Sequence, residues 1–204
     1  MESQRPANAE DHLQDLTQSE LEPVRKRLQS GWREHVTAEQ EQAINDYVSD
    51  PKINAKLRTS PDLSTLTDQE LSQFERLEEA IDLAGRRSQA ITVWRGIAPE
   101  NCKSILAMIE TALESRQTFG ELGIQSYSIQ PSVAGFIAHD AGLVLELESK
   151  TGIYISELAG GNEDELLLSH FQRYIVLDVV RDVLITAAHG ERVSVTLARL
   201  RELR

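Results

Sequence analysis

Cysteine is almost missing from this chain. Cys102 is the only one in 204 residues, which excludes an internal disulfide and any cysteine-based metal cluster. Its surroundings read as helix, so it is expected to be a small, buried, apolar residue. Positive charge is also in short supply: 21 Lys and Arg stand against 33 Asp and Glu, a formal net charge of −12. Such a surface repels phosphate backbones and argues against a non-specific nucleic-acid binder. Two short basic clusters, Arg25-Lys26-Arg27 and Arg86-Arg87, are read as solvated helix faces. No apolar run approaches the roughly 18 residues that cross a bilayer. Met1 to Glu10 lacks the apolar core of a secretory signal, so a soluble chain outside the general secretory route is expected. The five histidines (His12, His35, His139, His170, His189) show no metal-ligand spacing, and no metal is expected. There is no Gly-x-Ser-x-Gly elbow, no P-loop and no Gly-x-Gly-x-x-Gly opening a helix.

What is present suits a globular domain. Hydrophobic residues make up 40% and charged residues 26%, ordinary values for a chain long enough to bury one core. Residues 1–19 are polar, without an apolar period, and read as a flexible leader. Residues 20–204 then form one domain, helical over about 20–88 and β-rich over about 89–204. Leu21, Val24, Leu28 and Trp32 predict a helix from Glu20 to about Val36. Thr37 with Gln40, and Thr67 with Glu70, read as capping boxes opening two further helices, with a short helix from about Pro51 to Leu57 between them. Beyond Gly85 the pattern changes. Ile91–Ile97 reads as a strand, Glu100 to about Arg116 as an amphipathic helix, and Pro131 to about His139 as a short helix. Strands are expected at Gly123–Ile129, Gly142–Glu148, Gly152–Glu157, Glu165–Leu168, Arg173–Val180 and Val193–Leu200. Helices followed by strands with short loops predict an α+β fold with largely antiparallel sheets.

Glu163-Asp164-Glu165 lies between Gly160-Gly161 and the apolar run Leu166-Leu167-Leu168. Two geometries fit it. Asn162 with Glu165 matches a helix cap, on which the two glutamates would point apart. On a strand they would share one side, roughly 6.5–7 Å apart, and Asp164 would face the other way, exposed. The β-branched and aromatic run from Arg173 to Val180 favours the strand. Two earlier segments carry complementary chemistry. Arg95 ends an apolar strand, with Gly96 beside it to permit close approach of a ligand; Ser126 and Ser128, two apart, share one side of another strand.

The order Arg95, then Ser126-Tyr127-Ser128, then Glu163-Asp164-Glu165 resembles the Arg-Ser-Glu class of mono-ADP-ribosyltransferases, the iota-type toxins and ecto-enzymes among them. Ala43-Ile44-Asn45-Asp46-Tyr47 with Ile53-Asn54-Ala55-Lys56-Leu57-Arg58 resembles that class's helical segment ahead of the arginine strand. Gly152-Ile153-Tyr154-Ile155 and Glu165-Leu166-Leu167-Leu168 resemble the strands on either side of its target-recognition loop. Together the likeness spans about residues 38–200. It implies two packed, mainly antiparallel sheets with an N-terminal helical subdomain and an NAD cleft between the sheets.

The same resemblance implies roles. NAD is the substrate and no metal takes part. Arg95 grips its pyrophosphate, for which a planar guanidinium is suited. Ser126 holds Glu165, whose carboxylate stabilises an oxocarbenium-like ribose. Glu163 prepares an acceptor arginine. Gly96, Ser128 and Phe136 complete the NAD site, Phe136 by stacking on nicotinamide or, equally, as core. Tyr127 replaces the usual threonine but faces away. The loop Leu158-Ala159-Gly160-Gly161 lacks the class's aromatic residue. The implied activity is ADP-ribose transfer from NAD to an arginine of a target protein, by an effector, toxin or phage modifier acting in a target-cell cytosol, with an immunity protein as a further partner. An NAD glycohydrolase and an inactive partner-binding domain remain as alternatives.

Overall fold

The two threonine caps dictate how the helical half begins. Thr37 Oγ1 accepts from the Gln40 amide at 3.2 Å while Gln40 Oε1 accepts from the Thr37 amide at 3.0 Å; Thr67 and Glu70 repeat the arrangement. Each pairing satisfies amides that a helix start leaves without intrahelical partners. The computed structural model describes residues 13–29, 32–50, 52–59, 63–156 and 164–203. Four helices come first: α1 (Gln18–Gln29), α2 (Ala38–Ser49), α3 (Lys52–Thr59) and α4 (Asp68–Leu83). They are followed by β1 (Ile91–Ile97), α5 (Pro99–Ser115), β2 (Thr118–Gly120), β3 (Gln125–Ser128) and α6 (Pro131–Ala138). The chain closes with β4 (Leu143–Ser149), β5 (Ile153–Tyr154), β6 (Glu165–Leu168), β7 (Arg173–Thr186) and β8 (Arg192–Glu202).

The strands run in the order β2-β7-β8-β4-β1-β3-β6-β5. All neighbours are antiparallel except β4 and β8. The order is continuous, yet β1 and β3 meet at one position only, Trp94 opposite Ser128. A five-stranded ladder and a three-stranded one are thus joined by a single link and can fold toward each other. Their facing sides share one core: Val93 and Leu145 from the larger ladder, Tyr127, Leu166 and Leu168 from the smaller, closed by Ile109 of α5. Leu167 points the opposite way, as strand alternation requires, and packs under Ile44, Leu57 and Leu77 of the helical half. β6 is therefore covered on both faces, which is why its three leucines are consecutive. On the far side of the larger ladder, α6 packs against Trp94, Val144 and Leu197.

Several boundaries differ from the sequence expectations. The first helix stops at Gln29 rather than near Val36; Trp32 lies in a turn, its indole donating back to the Leu28 carbonyl at 3.2 Å. Of the expected leader, residues 13–19 are described: Leu13 is buried and Leu16 half-buried, the rest are exposed, and the Asp15 carboxylate accepts from the Ser132 amide at 3.0 Å and its hydroxyl at 2.5 Å. That contact caps α6, whose own N-cap residue offers no side-chain bond. β7 runs to Thr186 because two register shifts against β8 let a 14-residue strand bend with its partner. Arg87 is not solvated: it donates to the carbonyls of Gly152, at 2.9 Å, and Thr151, and burial lowers its pKa to about 10.

Candidate active site

The site forms at the single link between the ladders. Along β1, side chains alternate. Val93 and Ile97 enter the shared core, and Arg95 lies between them. Its Nη1 donates to Glu121 Oε2 at 2.7 Å. Burial acts to lower the Arg95 pKa, but the carboxylate of Glu121, helped by the phenols of Tyr127 and Tyr174, outweighs it, and the net shift is upward. Trp94 and Gly96 face the other way, toward α6. A Cβ on Gly96 would stand 2.1 Å from the Ala134 carbonyl oxygen and 2.8 Å from Ile137 Cβ. The glycine therefore admits helix α6 to close contact with the strand.

On the smaller ladder Ser128 lies opposite Glu165, with Ser126 two residues along on the same side. Ser126 donates its hydroxyl hydrogen to Glu165 Oε1 at 2.5 Å. The Glu165 amide donates to Ser156 Oγ at 2.6 Å, and Ser128 Oγ accepts from the Gln130 amide at 3.0 Å, turning the chain into α6. One cleft is lined by Trp94, Arg95, Gly96, Ser126, Ser128, Ile137 and Glu165, among others. The structure thus brings together Arg95, Gly96, Ser126, Ser128 and Glu165 from segments up to 70 residues apart (165 − 95).

Three expectations fare differently. Phe136 does not line the cleft. It is 44% exposed, its ring edge-on to His189 at 4.7 Å and to His139 at 5.8 Å. The helix turns its neighbour Ile137 into the cleft instead, about 100° around the axis. Glu163 and the loop Leu158–Gly161 lie outside the described residues. Asp164, expected to be exposed, is buried at 3%. Strand geometry begins only at Glu165: Asp164 has φ +50°, in the left-handed region, so alternation cannot be extended backward through it.

Other residues around the site were not singled out from sequence. Glu121 gives no local signal; its partner is 26 residues away. The Tyr47 pKa is pushed up to about 12, first by burial and then by the charge of Glu165, with Arg58 and Arg95 opposing. The phenol thus shares one field with the proposed catalytic groups. Asn54 fixes it, donating to Tyr47 Oη at 3.0 Å and to the Ile124 carbonyl at 2.9 Å. Tyr47 and Asn54 lie in the two helical segments that carry the resemblance, which was the available clue.

Comparison with known proteins gives the same picture. The family model described as "ADP-ribosyltransferase exoenzyme" matches residues 24–199. No curated protein sequence matches. Among solved structures, Plx2a, an ADP-ribosyltransferase toxin from Paenibacillus larvae, is similar at TM-score 0.68 and 17% identity, covering 91% of this chain and 96% of that one. The Clostridium limosum C3 exoenzyme aligns at TM-score 0.67 and 15% identity, over 94% and 98% of the two chains. C3stau2 from S. aureus, solved with NAD, aligns at 0.67 and 16%, again over 94% and 98%. A match over residues 24–199 spans most of the molecule, and the chain belongs to the ADP-ribosyltransferase exoenzyme family.

Proposed function

We propose that this protein moves ADP-ribose from NAD to an arginine side chain of a target protein, releasing nicotinamide, as a bacterial effector, toxin or phage-borne modifier. The observation that carries this reading is the Ser126–Glu165 hydrogen bond at 2.5 Å, in a cleft shared with Arg95. Arg95 binds the pyrophosphate through charge-assisted hydrogen bonds. The bond between ribose C1′ and the nicotinamide nitrogen breaks with both electrons going to nitrogen, so nicotinamide leaves neutral and needs no general acid. Positive charge develops on the ribose. Glu165, oriented by Ser126 before the reaction begins, stabilises that charge at no reorganisation cost. A guanidine nitrogen of the acceptor then bonds to C1′ and gives up a proton, for which Glu163 is the proposed recipient. Ser128, held by its bond from the Gln130 amide, shapes the nicotinamide end of the cleft together with Ile137, which replaces Phe136 in that role. An enzyme of similar fold, Vis, binds agmatine, a guanidine compound, which supports an arginine-type acceptor here.

Incubating the protein with labelled NAD and a cell lysate tests the reading. Label on arginine is the expected result. Label on another side chain would replace the acceptor, free ADP-ribose alone would make the protein a glycohydrolase, and no turnover would leave a binding domain. Glu165→Gln is expected to lower turnover by about 10²-fold or more, the scale for removing one preorganised electrostatic group. Activity within a few-fold of wild type would remove Glu165 from the mechanism.

A further inference from the structure

Asp164 stands immediately before Glu165 and is held more tightly than any surface acid would be. Arg25 of α1 reaches it with two parallel bonds, Nε to Oδ1 at 2.6 Å and Nη2 to Oδ2 at 2.7 Å, and Tyr154 donates its phenol hydrogen to Oδ1 at 2.5 Å. Those three bonds come from residues 139 and 10 positions away. The backbone of Asp164 is equally committed, its carbonyl accepting from the Ile129 amide at 3.1 Å. Arg25 is anchored in turn, because Leu21 and Leu28 on either side of it in α1 are buried in the core between the ladders. The Asp164 bond raises the Arg25 pKa, against the smaller opposing effect of its burial.

Such an arrangement is an expensive way to stabilise a fold. A buried ion pair contributes little over apolar side chains of the same volume, and its attested use is to select one conformation among several. The conformation in question is visible: φ +50° at Asp164 is a left-handed backbone that an L-residue adopts at a steric cost. Backbone held in this region at a functional site persists where the surroundings over-determine it. The kink sets the direction in which Glu165 enters β6 and meets Ser126.

We propose that Arg25 and Asp164 are positioning residues for the transfer reaction: their ion pair, with Tyr154, pins the left-handed turn before Glu165 and so aims its carboxylate at Ser126. Neither residue lines the cleft, and both act through Glu165. The inference rests on the proposed function for its kinetic consequence, but not for its structural one.

The test measures kcat and KM for NAD, with agmatine as acceptor, in Arg25→Ala, Arg25→Lys, Asp164→Ala and Asp164→Gly, all assayed well below each variant's melting temperature. Arg25→Ala and Asp164→Ala are expected to lose about tenfold or more in kcat, the cost of misplacing a preorganised group. KM for NAD should stay within about twofold, because Arg95 is untouched. Arg25→Lys, which keeps the charge but not the fork, should fall between. Asp164→Gly is the discriminating variant. Glycine adopts positive φ without a clamp, so it should recover much of the kcat that alanine loses, although both remove the ion pair. Equal kcat in the two Asp164 variants, or wild-type kcat in Arg25→Ala, would overturn the proposal. Should Arg25→Ala fail to fold, the alanine–glycine contrast at 164 decides. If the wild-type protein turns over no NAD, the functional reading fails, and the clamp is judged by the crystal structure of Asp164→Ala. Loss of the Ser126–Glu165 contact supports it; the contact retained at its present length refutes it.

Discussion

Two of the arginine–carboxylate pairs among the described residues, Arg25–Asp164 and Arg95–Glu121, are tied differently. Arg25 meets Asp164 with two nitrogens on two oxygens, at 2.6 and 2.7 Å. Arg95 meets Glu121 through one nitrogen, Nη1, at 2.7 Å, and it faces the cleft. A two-toothed pair behind the site has no reason to open. A one-toothed pair in the cleft wall suits the role proposed above, in which a pyrophosphate engages the guanidinium while Glu121 keeps it oriented. The contrast teaches that the ionic contact resembling a binding site in sequence is the looser one, and the tighter contact holds shape. Depth differs too, in opposite senses for acid and base: the side chains of Asp164 and Glu121 are 4% and 13% exposed, those of Arg25 and Arg95 28% and 12%.

The sharpest way to break this contrast is to remove each cation in turn. Arg25→Met leaves Asp164 buried with Tyr154 as its only remaining side-chain donor among the bonds above. A loss of about 3–5 kcal/mol is expected, the range for uncovering a buried charge. Arg95→Met leaves Glu121 nearer to water, and its cost should be smaller, about 2 kcal/mol. Chemical denaturation of both variants measures this difference. Kinetics should rank them in the opposite sense for substrate binding: KM for NAD rises by about tenfold or more in Arg95→Met, as loss of a charge-assisted contact requires, and stays near wild type in Arg25→Met. Equal destabilisation by the two substitutions would show that the number of bonds in each pair is irrelevant.

The same contrast marks where sequence reasoning reached and where it stopped. Capping boxes at Thr37 and Thr67 and the strands Ile91–Ile97 and Glu165–Leu168 were legible, because period and spacing are local. So was the α+β class. The pairing of Ser126 with Glu165, 39 residues apart, was implied by the resemblance alone. Arg25 was not legible: within its basic cluster it looks like a solvated helix face, and nothing nearby names a partner 139 residues on. Asp164 was misjudged for a related reason. Strand alternation does not run back through it, because its left-handed backbone stops the pattern at Glu165. Phe136 and Ile137 differ only in which way a short helix faces, and that is set by Gly96 on another strand. The three-residue β2 carries too few side chains for any period to be read.

A milder perturbation sharpens the Arg95 half. Glu121→Gln keeps an acceptor for Nη1 but removes the negative charge that competes with phosphate. KM for NAD should fall, by about threefold, a difference of about 0.7 kcal/mol. The loss of the charge-assisted bond should cost folding stability about 1 kcal/mol. A rise in KM would mean that the full charge of Glu121 is needed to hold Arg95 toward the ligand, and that the pair is as structural as the one at Asp164.

The last expected effect lies on the Arg25 side and is read in alkali. The Tyr154 pKa is raised to about 12 from 10.0, chiefly by burial and then by its bond to Asp164. A phenol whose folded pKa exceeds its unfolded value favours the folded state fully below the unfolded pKa, and that contribution is lost as pH rises through the folded one. For Tyr154 the window is therefore pH 10 to about 12. Tyr154→Phe removes one donor to a carboxylate that retains its two bonds from Arg25, so at neutral pH it should cost only about 1–2 kcal/mol. It should also flatten part of the stability loss between pH 10 and 12, followed by denaturant midpoints at several pH values. Tyr47, Tyr127 and Tyr174, whose pKa values are also raised, will keep the remaining slope. An unchanged profile would place the Tyr154 hydroxyl outside the clamp and leave Arg25 alone to hold the left-handed turn at Asp164.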